Sequence, residues 1–182
     1  MKGFKMLLSA AAVCAFLVAG AGLAQAETVK AEVFASTAEG SGMSVGTVTF
    51  EDTKGGLKIM LSLRGLPAGE HGFHVHEKAD CSPMKGADGK MAPAGGAGGH
   101  YDPDKTGKHL GPNNGGHKGD LPLLVIKSDG TAKGTMEVLL KNVKAKDFKN
   151  RSVMIHAGGD NYSDQPVTLG GGGARIACGI IK

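Results

Sequence analysis

Short runs that alternate apolar and polar residues fill much of the chain. Val29, Ala31, Val33 and Ala35 alternate with Thr28, Lys30, Glu32 and Phe34. Gly46, Val48 and Phe50 alternate with Val45, Thr47 and Thr49, and Leu57, Ile59, Leu61 and Leu63 with Lys58, Met60, Ser62 and Arg64. A period of two puts every second side chain on one face, the mark of a half-buried β-strand. Turn residues separate the runs at Glu39-Gly40-Ser41-Gly42, Lys54-Gly55-Gly56 and Pro67-Ala68-Gly69. Further strands are expected at Phe73–Glu77, Ser152–His156 and Ala174–Ile181. Leu121–Lys127 and Thr131–Leu140 flank Ser128-Asp129-Gly130 and predict a hairpin. Val143–Asn150 is polar and has room for one helical turn. About eight short strands with Gly-rich turns predict an all-β sandwich or barrel.

Two long connections break the regularity, Lys78–Gly119 and Ala157–Gly173. Loops of that length inside a compact domain are functional or disordered. Both are Gly-rich, and neither contains a phosphate-binding G-x-x-x-x-G-K-[ST] pattern. Glycine there lets a loop fold tightly against a site.

The histidines change the picture. Six of the seven lie between His71 and Asp120, namely His71, His74, His76, His100, His109 and His117, and the seventh is His156. Neutral imidazole is the commonest metal ligand among side chains. In His74-Val75-His76 the two imidazoles share one face of a strand while Phe73 and Val75 face the core. His71 falls just outside that strand and is expected to support the site rather than bind metal. His100, His109, His117 and Asp120 are three nitrogens and a carboxylate on one loop, a closed tetrahedral set for structural zinc. His156 ends another strand and adds a third nitrogen to His74 and His76, a ligand type suited to Cu(II).

Charge and cysteines narrow the rest. The formal net charge is +4 over 182 residues, with no dense Lys/Arg block, so there is no nucleic-acid footprint. Lys2 and Lys5 precede an uncharged apolar run from Met6 to Leu23, and Ala24-Gln25-Ala26 follows. That order is a secretory signal peptide, residues 1–26, cleaved after Ala26 and leaving one domain over 27–182. A membrane anchor is the competing reading, set against by the Ala/Gly content and the A-x-A end. Cys14 lies too early in the run to be a lipoprotein cysteine. Cys81 and Cys178 remain, and an even pair in an exported chain reads as a disulfide. Free thiols are disfavoured by export, and thiolate metal ligands by the absence of a Cys-x-x-Cys.

The segments GFHVHEKADC, GGHYDPDKTGKH, HKGDLP, MIHAGGDNYSD and LGGGGARIACGII closely resemble the copper,zinc superoxide dismutases of the bacterial exported branch. The resemblance covers nearly all of residues 27–182. It implies an eight-stranded Greek-key β-barrel, an immunoglobulin-like sandwich, with two long active-site loops. It implies copper held by His74, His76, His100 and His156, and zinc held by His100, His109, His117 and Asp120. His100 would be shared between the two metals and shuttle a proton. It implies that Asp160 hydrogen-bonds a ligand histidine on each metal, that Cys81 and Cys178 are the family disulfide, and that Arg175 receives the anion. The implied reaction is dismutation of superoxide to dioxygen and hydrogen peroxide in the periplasm, by a monomer or homodimer with no nucleic-acid partner and no membrane anchor once the signal is removed. Steering of the substrate would rest on Arg175 and on Lys78, Lys85, Lys90, Lys105, Lys108 or Lys118, since the 157–173 loop has no Lys and carries only Asp160 and Asp164 as charges. A periplasmic copper/zinc buffer without turnover is the alternative. It accounts for the histidines but not for Arg175.

Overall fold

The computed structural model describes residues 26–140 and 142–182. The expected signal segment therefore lies, apart from Ala26, outside the described residues. Among these residues the chain forms β1 (Thr28–Thr37), β2 (Gly40–Thr53), β3 (Gly56–Leu63), β4 (Gly69–His71), β5 (Phe73–His76), β6 (Met84–Lys85), β7 (Met91–Ala92), β8 (Leu124–Ile126), β9 (Ala132–Val138), β10 (Ser152–His156) and β11 (Arg175–Ile180). Single turns of 3-10 helix lie at Gly95–Ala97, Ala145–Phe148 and Leu169–Gly171.

Seven strands make one antiparallel sheet in the order β5-β10-β11-β1-β2-β3-β9. Strands β4 and β8 pair with each other. Because β4 runs through Gly72 into β5, and β8 turns into β9, this pair spans the space between the two edges of the large sheet. Counting β4 and β5 as one bent strand, and leaving aside the small β6–β7 ladder, the result is the eight-stranded Greek-key barrel. The alternating pattern dictates which face turns inward. Val29, Ala31, Val33, Val48, Phe50, Leu57, Ile59 and Leu63 are buried, and Phe73, Val75, Val153 and Ile155 join them from β5 and β10. The 3-10 turn over Ala145–Phe148 matches the expected helical turn. It closes one end of the barrel, with the Phe148 ring edge-on to Phe50 at 5.2 Å.

One expectation needs correction. The hairpin expected over Leu121–Lys127 and Thr131–Leu140 forms only its turn, where the N–H of Lys127 donates to Thr131 O and that of Gly130 to Lys127 O, both at 2.9 Å. The strands then part. β9 pairs along its whole length with β3, whereas β8 pairs with β4. The turn is a corner of the barrel, and the longer ladder available on β3 outweighs local pairing. His71 lies just outside β5, as expected, at the end of the separate short strand β4.

Candidate metal centre

β5 is the element that everything at the site is measured against. Its Phe73 and Val75 lie in the core, which turns His74 and His76 to the opposite face. On one side β5 pairs with β10, placing Met154 beside His74 and Ser152 beside His76, and β10 ends at His156. On its other side β5 is completed by the long loop folded back on it. The N–H of Val75 donates to Gly119 O, that of Tyr101 to Val75 O and that of Gly119 to Tyr101 O, each at 2.8 Å. These bonds set His100 opposite His76 and Asp120 opposite His74. Gly119 is required here, because a Cβ would run into the carbonyl oxygen of Val75.

The side chains so placed form two groups. The donor atoms of His74, His76, His100 and His156 lie within 4.8 Å of one another, as do those of His100, His109, His117 and Asp120. His100 belongs to both. Its ring stacks on that of His74 with centroids 4.0 Å apart. In the first group His74 Nδ1, His76 Nε2, His100 Nε2 and His156 Nε2 are buried without a hydrogen-bond partner. Their other nitrogens are occupied: His74 Nε2 by Asp160 Oδ2 at 2.7 Å, His76 Nδ1 by Gly98 O at 2.9 Å, and His156 Nδ1 by Gly173 O at 3.1 Å. An imidazole anchored through one nitrogen and bare at the other is the arrangement of a metal ligand. In the second group Asp120 Oδ1 lies 3.0 Å from His100 Nδ1 and 3.3 Å from His117 Nδ1. Asp120 Oδ2 and His109 Nδ1 are 3.1 Å apart, yet both lack a hydrogen-bond partner. Two bare atoms that close, within 4.8 Å of the other two ligand atoms, suit a shared cation. Four nitrogens fit copper, and three nitrogens with a carboxylate fit zinc.

Asp160 accounts for a third grouping, with His74 and His109. Its Oδ1 accepts from His109 Nε2 at 2.8 Å while Oδ2 serves His74, so the carboxylate is filled by two imidazole N–H groups and ties the two sets together. Burial opposes its charge, but the bonds from His109 and His74 hold its carboxyl far below the usual range. Burial first, then the neighbouring charges, pushes His156 down to about 3 and His76 well below the usual value. Burial likewise takes His100 down to about 4, against the opposing pull of Asp120. Burial would lower His109 too, but Asp120 and Asp160 outweigh it and raise it to about 9.

His71 presents no atom to either group. Its Nδ1 faces His156 O at 2.7 Å and its Nε2 faces Pro67 O at 2.9 Å, so it braces the backbone of His156. Arg175 is half-buried and held by two carbonyls, Nη1 donating to Ala94 O at 2.7 Å and Nη2 to Gly98 O at 2.6 Å. Its charge contributes to the lowering of both His76 and His156, so the guanidinium stands at the first group. Cys81 and Cys178 are bonded, with Cα atoms 5.8 Å apart, which fastens the loop bearing Ala94 and Gly98 to β11 beside Arg175. Sequence reasoning missed those carbonyls. The Gly98-Gly99 pair before His100 hints at close approach, but a backbone oxygen has no signature of its own. Of the lysines expected to steer, Lys118 pairs with Asp104 at 2.9 Å and Lys78 approaches Glu77 at 4.0 Å.

Known proteins resemble this chain in sequence and fold. Superoxide dismutase [Cu-Zn] 2 of Salmonella typhimurium is 52% identical over 91% of this chain and 94% of its own length. Superoxide dismutase [Cu-Zn] of Escherichia coli is 48% identical over the whole of both chains. The solved Cu/Zn superoxide dismutase from Brucella abortus superposes with a TM-score of 0.81 at 47% identity, covering 86% of this chain and all of that one. The family model described as copper/zinc superoxide dismutase matches residues 44–181, a span that contains every histidine and both bonded cysteines. By that match and those identities, this chain belongs to the copper/zinc superoxide dismutase family.

Proposed function

We propose that the chain dismutates superoxide, turning two superoxide anions and two protons into one dioxygen and one hydrogen peroxide. His74, His76, His100 and His156 would hold copper, and His100, His109, His117 and Asp120 would hold zinc. The observation that carries this reading is the set of bare buried atoms facing two points with one ring, His100, between them. Copper bound there supplies a one-electron redox couple and zinc a fixed positive charge that cannot change valence.

The chain's own residues do the remainder. Arg175 offers a positive group at the copper-type set, with two of its N–H bonds spent on Ala94 O and Gly98 O so that the guanidinium keeps one orientation. A small anion is drawn to that charge and placed against the set. His100 holds or yields a proton at Nε2 while its Nδ1 side stays anchored by the zinc-type set. That gives a proton source inside the site without a dedicated carboxylic acid. Arg175 also argues against a metal buffer, since a fixed cation at the mouth opposes capture of metal ions and favours anions. The apolar run and A-x-A end of residues 1–26, together with the Cys81–Cys178 bond, support export to the periplasm.

Protein loaded with one copper and one zinc is expected to remove superoxide, and metal-free protein is not. His100→Ala is expected to lose occupancy of both metals together with turnover. Two normally filled metals and full activity in that variant would refute the shared ring. Fractionation of cells making the full chain tests export, with protein retained in the cytoplasm as the contrary result.

A further inference from the structure

We propose that Asp164 is a positioning residue for the zinc-type set: its carboxylate staples the two long loops together and so supports the His109–Asp160 hydrogen bond. The inference rests on the zinc reading above. Asp164 Oδ2 accepts from the backbone N–H of His109 at 2.9 Å, on the first loop. Its Oδ1 accepts from the N–H of Leu169 at 3.2 Å, on the second. The ring of the same His109 makes the contact that matters, Nε2 to Asp160 Oδ1 at 2.8 Å. Gly170 packs directly over that contact, where a Cβ would meet both Asp160 Oδ1 and His109 Nε2.

The second loop needs such a staple. Leu169 has φ 55°, in the left-handed region that a bulky residue avoids, and the residue is 41% exposed, so packing does little to hold it there. What holds it is the Asp164 carboxylate together with the bond from Gly170 N to Ser163 O at 2.9 Å. The same loop therefore grips His109 twice, at its ring through Asp160 and at its backbone through Asp164. The copper-type set has no such second hold from Asp164, because the contacts of this carboxylate are to His109 and Leu169. The two N–H groups bond to two different oxygens of the carboxylate, and a carboxamide has an oxygen at only one of those places. The bonds from His109 and Leu169 also hold the Asp164 carboxyl below its usual range.

The test is chelator competition for zinc and for copper on the full chain and on Asp164→Asn, a near-isosteric change, with thermal unfolding of each metal-free protein. Zinc affinity is expected to fall about 10- to 100-fold, the usual size for loss of a residue supporting a ligand. Copper affinity and the metal-free unfolding midpoint are expected to stay where they were. Unchanged zinc affinity would overturn the proposal. So would a joint fall of zinc affinity, copper affinity and metal-free stability, since that is what simple loop packing produces. If the unsubstituted chain itself holds no zinc, the reading of the site fails along with the staple, whereas normal zinc in the parent and in Asp164→Asn sinks only the staple.

Discussion

A buried polar atom left without a partner costs about 1–3 kcal/mol, and here six gather in one place: His74 Nδ1, His76 Nε2, His100 Nε2, His156 Nε2, His109 Nδ1 and Asp120 Oδ2. A fold accumulates such a cost where a ligand relieves it. The identity of these residues was legible from their types and spacing. Which ring nitrogen is left bare was not, since that depends on where Asp160, Gly98 and Gly173 offer acceptors. Asp160→Asn leaves one of two imidazole N–H groups without an acceptor. Because those groups belong to His74 and His109, both metals should weaken, zinc by about 10- to 100-fold; equilibrium dialysis checks this. Arg175→Gln should keep both metals bound yet lower the rate of superoxide removal by about tenfold or more and flatten its salt dependence. A fast assay over a range of ionic strength reads both effects, and an unchanged salt slope would remove Arg175 from steering.

At the scale of elements, β5 shows how a short strand becomes a rigid ligand platform. β10 supports it on one side, and the returning loop supports it on the other through Val75, Tyr101 and Gly119. Gly119→Ala should destabilise the protein by about 1–3 kcal/mol, the usual range for forcing bulk into a filled space. Chemical denaturation measures it, and metal occupancy should fall with it because His100 and Asp120 ride on the same ladder. The Cys81–Cys178 bond closes a separation of 97 residues, for which chain entropy predicts about 4–5 kcal/mol. Double replacement by serine should cost about that much in unfolding free energy. It should also reduce turnover, since Ala94 and Gly98 then lose their fixed place beside Arg175. The pairing of these cysteines was open to a sequence reading; their effect on Arg175 was not, because it runs through two carbonyls. The strand pattern likewise located eight barrel strands. It misjudged the corner between β8 and β9, where a non-local ladder outweighs the local turn.

At the scale of the whole molecule, the site is a sum of opposed charge preferences that metals resolve. In the metal-free protein His156, His100 and His76 are held below the ordinary histidine value, His156 at about 3 and His100 at about 4. The unfolded chain then binds more protons than the folded one below about pH 6.5, so stability rises with pH up to that point. His109 is raised to about 9, and its contribution is present below about pH 6.5 and lost as pH rises towards 9. Metal-free protein should accordingly be most stable near neutral pH and lose stability on both sides. Thermal unfolding across pH 4–10 checks this, and a midpoint still rising through pH 8 would contradict it. Loading with metals should raise the midpoint by mass action and flatten the profile between pH 6 and 9.

The order of residues alone determined the alternation that makes strands, the two loops that interrupt it, and the side-chain types able to hold two different metals. These are local properties, set by periodicity and by donor chemistry. That His100 stands between both sets and that one carboxylate serves His74 and His109 followed from family resemblance and not from periodicity or spacing. Tertiary structure alone decided that Arg175 is aimed by backbone carbonyls. Each of those facts depends on groups far apart in the chain meeting within a hydrogen bond's length, and contacts between backbone oxygens and distant side chains leave no periodic trace.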